Sequence, residues 1–205
     1  MNPKIAIIIA NYNYEKYVMN AINSALNQTY DGEIRIYVVD DGSNDGSWEK
    51  ISEITTPVTS IEILETYYSG QIEFRQSNNI FAYRIKNSGA SVARNVAMWQ
   101  AMEWADVFGI LDSDDEYYPE KVKKQYIQQV MLPNKEIFDS RLHGPGSEGF
   151  IGCLEDYDLW IRLSKVCIMC HVPECLAIAN EHGANQSLKM TNEIFNKHAG
   201  ILGGR

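Results

Sequence analysis

Basic residues are scarce in this 205-residue chain: 18 lysines and arginines face 27 aspartates and glutamates, a formal net charge of -9. A nucleic-acid binder needs a basic surface for phosphates, so the composition argues against that class. An anionic partner would need local help, such as a metal ion. Long apolar runs are missing as well. No stretch approaches the roughly 18–20 uninterrupted apolar residues of a membrane span. Met1-Asn2-Pro3-Lys4 runs straight into a strand-like IAIIIA with no signal-peptide layout, so the expectation is a soluble, cytoplasmic protein. Cysteine is limited to Cys153, Cys167, Cys170 and Cys175. Cys167 and Cys170, with His171 and Cys175 nearby, invite a zinc reading, but only one CxxC is present and its surroundings read as strand, so small buried thiols explain them better. There is no internal repeat and no low-complexity segment.

The hydrophobic content of 45% can fill a substantial core, and the length fits one domain spanning 1–205. In the first half, strand-like and helix-like segments alternate, the mark of an α/β fold with a largely parallel sheet. Lys4–Ala10 and Glu33–Val39 read as strands, and Tyr17, Ala21, Ile22, Ala25 and Leu26 mark one helical face between them. A short helix is predicted over Asp45–Ile54, with strand material around Ile61–Leu64 and Ile72–Phe74. A long helix follows over Ser91–Trp104, set by Val92, Val96 and Trp99, and then a central strand over Val107–Leu111. Pro119 suits the first turn of a helix running to about Val130. Residues 133–152 are turn-rich and read as a candidate lid, Glu155–Lys165 as a helix, 166–179 as β-like, and 181–205 as a polar, flexible tail.

In an open parallel α/β sheet, ligands bind outside the carboxyl ends of the strands. Two acidic motifs are predicted there: Asp40 and Asp41 after the second strand, and Asp112, Asp114 and Asp115 after a later one. A single Asp-Asp pair is usually a turn former or a helix cap. Two clusters at one edge, without matching basic clusters, ask for a positive charge between them, because neighbouring carboxylates raise one another's pKa. Hard oxygen ligands of this kind suit Mg2+ or Mn2+.

The ordered set IAIIIANYNYEKYVMNAINSALNQTY (5–30), IRIYVVDDGSNDGS (34–47), NSGASVARNVA (87–97), GILDSDDEYYP (109–119), LEDYDLWIRL (154–163) and EHGANQS (181–187) resembles glycosyltransferase family 2. The resemblance implies a GT-A fold, a central mostly parallel mixed sheet flanked by helices. It implies a metal-dependent, inverting enzyme that moves a sugar from a nucleotide sugar, a UDP-sugar foremost, to a hydroxyl of a glycan or other acceptor by single displacement. On matching positions it places Tyr12 and Asp41 at the nucleotide base with Asn11 near them, and Asn87 and Arg94 on the nucleotide. Asp112-Ser113-Asp114 matches the family's DXD motif, with Asp112 and Ser113 on the ribose and diphosphate side, Asp114 on the Mn2+ or Mg2+ ion with Asp112 beside it, and His182 completing the metal site. Asp156 matches the general base that deprotonates the acceptor.

The same residues have plainer readings. Asp156 could be a first-turn acid on a helix dipole, His182 a solvated loop histidine, and Tyr12 packing at a strand end. The sequence also departs from the family pattern: Ala10 and Asn11 stand where a proline is usual, and only about 40 residues separate Asp114 from Glu155, so this is a short member with a reduced acceptor region. Residues 77–86 read as a longer connection than usual that compensates on that side. A non-catalytic nucleotide- or glycan-binding module on the same fold is the alternative. A sugar-nucleotide pyrophosphorylase would need a glycine-rich basic loop after the first strand, which ANYNYEKY does not supply.

Overall fold

The structure is a computed structural model and describes residues 2–58, 68–126, 162 and 173–182. Its elements are β1 (Ile5–Asn11), α1 (Val18–Leu26), β2 (Ile34–Asp40), α2 (Ser47–Glu53), β3 (Thr56–Pro57), β4 (Glu73–Ser77), β5 (Ile80–Arg84), α3 (Ala90–Ala101), β6 (Val107–Asp112), β7 (Glu116–Tyr117), α4 (Lys121–Tyr126) and β8 (Ala177–Ile178). Six strands form one sheet in the order β3-β4-β5-β2-β1-β6, with β5, β2, β1 and β6 parallel and β3 and β4 antiparallel at one edge. A separate two-stranded ribbon joins β7 to β8. The expected mixed, mostly parallel α/β sheet is therefore present.

The continuous apolar run IAIIIA follows from burial on both faces of a central strand. Ile5, Ile7 and Ile9 pack with Val18, Ala21, Ile22 and Ala25 of α1 and with Trp48 and Ile51 of α2, whereas Ala6 and Ile8 face Ala93, Val96, Ala97, Met98 and Ala101 of α3. Each fully buried isoleucine contributes about 1.5–3 kcal/mol, so this strand anchors both layers. On α1 the buried positions recur at i, i+3, i+4 and i+7, as an amphipathic helix requires. Among the described residues no helix is long and apolar enough to cross a membrane.

Three sequence-based expectations are corrected. Leu26, assigned to the buried face of α1, is 45% exposed, because it closes the last turn beyond the sheet edge. The long helix stops at Ala101 rather than Trp104 and buries small residues, with Val92 and Trp99 only partly covered; alanines at 93, 97 and 101 let it lie close on the sheet. Residues 77–86, read as a long connection, carry regular structure. Ser77 ends β4, Asn78 turns the chain in the left-handed region at φ 46°, and Ile80–Arg84 is a strand of the main sheet, parallel to β2. Asparagine tolerates that conformation, and the Asn78-Asn79 pair was the overlooked turn signal. The expected strand at 61–64, the lid at 133–152, the helix at 155–165 apart from Arg162, and the CxxC at 167–170 lie outside the described residues.

Candidate functional site

Strand register brings the two acidic motifs together. Asn11 at the end of β1 pairs with Asp40 of β2, and the preceding Ala10 pairs with Asp112 of β6. The carboxyl ends of three adjacent parallel strands therefore open into one edge, where an α/β sheet binds its ligands.

The β2 side of this edge is closed by internal hydrogen bonds. Asp40 is 0% exposed and accepts from Asn11 Nδ2 at 2.9 Å and from the Ser43 amide at 3.0 Å, with the Arg84 guanidinium 3.6 Å away. Asp41 accepts from the amides of Ser88 at 2.7 Å and Gly89 at 2.8 Å, and Asn87 Nδ2 donates to its backbone carbonyl at 3.0 Å. The start of α3 has no side-chain cap of its own, so this carboxylate fixes the approach to the helix from across the sheet. Gly42, next in the chain, needs its hydrogen: φ is +71°, and a Cβ there would stand 2.8 Å from the Asn87 nitrogen.

Tyr12 lies at the rim and is 42% exposed, the most open of the residues assigned to the base. Its loop is fastened to the β2–α2 turn. Asn13, at φ 60°, donates its amide to Ser43 Oγ at 2.9 Å, Asn44 returns an amide to Asn13 Oδ1 at 2.9 Å, and Glu15 donates its amide to Asp45 Oδ2 at 3.0 Å. Burial raises the Asp45 carboxyl, yet bonds from Ser47 and from the Glu15 amide outweigh it and hold the group below its ordinary value.

The β6 side carries its charge differently. Arg94, buried on α3, donates from Nη2 to Asp112 Oδ1 at 2.8 Å, while the Asp112 side chain stays 49% exposed. Ser113 is buried. The Asp114 carboxylate lies 3.2 Å from His182 Nε2, with both side chains largely covered. Asn180 holds this corner by donating its amide to Asp115 Oδ1 at 3.1 Å and Nδ2 to the Asp114 carbonyl at 2.7 Å. Burial, reinforced by the neighbouring aspartates, raises the Asp115 carboxyl, and the Asn180 amide opposes that rise. His182 arrives on the segment that contains β8, which pairs with β7, and the Tyr118 amide donates to the Leu176 carbonyl at 3.0 Å. Burial, followed by the charges of Asp114 and Asp112, pushes the Tyr14 hydroxyl pKa up to about 12.

Arg94 and His182 each meet one of the cluster's carboxylates. A sequence separation of 18 residues gave no sign of the Arg94–Asp112 pair. Among the described residues no three His, Cys, Asp or Glu side chains form a set that could hold a metal ion by themselves. Asp156 lies outside the described residues. Sequence reasoning gave no role to Arg84, Ser43, Tyr14 or Asn180 and read Tyr17 only as part of a helical face; the spacing of Tyr14 and Tyr17, three apart on one turn, was the available signal.

A family model described as Glycosyl transferase family 2 matches residues 6–129. An uncharacterized glycosyltransferase of Nostoc sp. is 33% identical over 59% of this chain and 31% of its own length, and the minor teichoic acid biosynthesis protein GgaA of Bacillus subtilis is 32% identical over 59% of this chain and 24% of its own. The matched part of the chain thus spans about a third or less of these relatives. The crystal structure of S. aureus TarS 1-349 in complex with UDP is 28% identical over 60% of this chain and 31% of that one, at a TM-score of 0.44. With the family match covering more than half of its residues, from β1 into α4 and across both acidic motifs, the chain belongs to glycosyl transferase family 2.

Proposed function

We propose that the chain is a metal-dependent glycosyltransferase that moves a sugar from a nucleotide sugar, a UDP-sugar foremost, to an acceptor hydroxyl with inversion, releasing the nucleoside diphosphate. The observation that carries this reading is the Asp114–His182 pair at 3.2 Å, at the same strand edge as the exposed Tyr12. Tyr12 offers a ring face to the base, and the fastened loop holds that ring without help from the ligand. Asn11 and Asp41 form the floor beneath it, and Asn87 keeps Asp41 in place. Arg94 and Asp112 stand on the ribose and diphosphate side, where Arg94 neutralises a carboxylate that would otherwise repel phosphate.

The donor set fits a divalent ion. Two ligands at right angles on an ion about 2.1 Å away lie about 3 Å apart. Asp114 Oδ2 and His182 Nε2 have that spacing, at 3.2 Å. One carboxylate and one imidazole leave positions for phosphate oxygens, in keeping with Mg2+ or Mn2+ held between protein and substrate. Bound there, the ion would supply Lewis acidity to the departing diphosphate. Asp156 is the base of this proposal and takes the acceptor proton as the hydroxyl attacks the anomeric carbon.

The test is release of nucleoside diphosphate from UDP-sugars with Mn2+ present, in the wild type, Asp114→Asn and Asp156→Asn. The expected result is release by the wild type, loss of at least about 100-fold in Asp156→Asn with nucleotide affinity intact, and loss of both release and metal-dependent affinity in Asp114→Asn. Metal-dependent nucleotide binding with no release from any donor would instead leave a binding module.

A further inference from the structure

Tyr14 and Tyr17 are absorbed by none of the roles above, yet both touch His182. The Tyr17 ring lies 4.6 Å from the imidazole at an interplanar angle of 13°, a stacked pair, and the Tyr14 ring meets it edge-on at 5.6 Å and 69°. The two tyrosines also meet each other at 6.3 Å, edge to face. They share one turn: the amides of Tyr17 and Val18 both donate to the Tyr14 carbonyl, at 2.9 and 3.0 Å, and Val18 is buried in the sheet core. The aromatic pair is therefore anchored to β1 and α1, whereas His182 arrives on a segment more than 160 residues later in the chain.

We propose that Tyr14 and Tyr17 are positioning residues that hold the His182 imidazole with Nε2 toward Asp114, so that the two ligands are in register before any ion arrives. A stacked face blocks rotation of the imidazole plane, and an edge-on ring on the other contact blocks its translation. Ordinary packing would account for one ring against a histidine. It does not account for both rings of one turn meeting the same imidazole, one stacked and one edge-on, with the Tyr14 hydroxyl in the field of the Asp114 carboxylate. The same short loop also carries Tyr12, so one segment sets both ends of the donor site. The inference rests on the proposed metal-dependent reading. Outer groups that orient a ligand typically change metal affinity 10–100-fold.

The experiment titrates Mn2+ into the full chain with UDP present and follows free Mn2+ by electron paramagnetic resonance, in the wild type, Tyr17→Leu, Tyr17→Phe, Tyr14→Phe and His182→Ala. Unfolding midpoints without ligand and UDP affinity in EDTA are measured alongside. Tyr17→Leu is expected to weaken Mn2+ about 10–100-fold, with UDP affinity in EDTA unchanged. Tyr17→Phe keeps the stack and is expected to bind as the wild type does. Tyr14→Phe loses the hydroxyl and is expected to fall in between. Wild-type Mn2+ affinity in Tyr17→Leu, together with loss in His182→Ala, would overturn the inference while leaving the metal reading intact. No Mn2+ binding by the wild type would overturn both. Should Tyr17→Leu fail to fold, unchanged Mn2+ affinity in Tyr14→Phe overturns the inference by itself.

Discussion

The acids after β2 and the acids after β6 look alike in sequence and differ in the folded chain. Asp40 and Asp41 are buried and saturated: together they take backbone amides from Ser43, Ser88 and Gly89, a side-chain amide from Asn11, and the nearby Arg84 charge. Asp112 meets the Arg94 guanidinium and Asp114 meets the His182 imidazole, and Asp112 keeps half its surface in solvent. Carboxylates whose lone pairs are filled by amides hold chain segments together. Carboxylates paired with a cationic or metal-ligating side chain, rather than filled by amides, keep lone pairs that a ligand or an ion can use. Doubled aspartates at a strand end are thus two devices, and their hydrogen-bond donors separate them.

The sharpest way to break this comparison is Asp40→Ala. It leaves Arg84, the Asn11 amide and the Ser43 amide facing an empty position, and is expected to lower stability by about 3 kcal/mol or more, read as a shift in the urea midpoint. A midpoint near the wild type would mean that the β2 acids are not structural. Gly42→Ala should cost somewhat less, about 1–2 kcal/mol for a left-handed residue with a Cβ, with added strain because that Cβ would sit 2.8 Å from the Asn87 nitrogen. A neutral outcome in thermal unfolding would show that the β2–α2 turn has another conformation available. The smallest effect concerns Asp45. Its folded pKa lies below the ordinary carboxylate value of 3.8, so the unfolded chain protonates first. Its contribution is present above about pH 4 and is lost as the pH falls through the folded value. The gap in melting temperature between the wild type and Asp45→Asn should be open at pH 6 and close on acidification; a gap independent of pH would show that the carboxylate charge is not what matters.

How much the sequence disclosed follows the same division. β1 and β2 were legible because strands buried on both faces are nearly continuous apolar runs, β6 from a shorter apolar run bounded by acids, and the α1 face from its 3.6-residue period. β5 was missed because IFAYR is short and ends on an arginine, and that arginine is inward-facing enough to reach Asp40. The convergence of both acidic motifs on one edge followed from topology. Arg94 and Asn180 as partners of those acids did not, since they meet them only through the tertiary fold and no local pattern encodes such contacts; the resemblance alone set His182 beside Asp114.

The most direct measurement is the melting temperature of the wild type and of Asp114→Asn with UDP, in Mn2+ and in EDTA. Ligand at about 100 times its dissociation constant adds roughly 2.7 kcal/mol to the folded state. The account predicts that UDP with Mn2+ raises the wild-type midpoint, that EDTA removes most of the rise, and that Asp114→Asn melts like the wild type without ligand and shows no metal-dependent gain. An equal rise in Asp114→Asn, or one indifferent to EDTA, would contradict the claim that the β6 acids bind the donor through a metal.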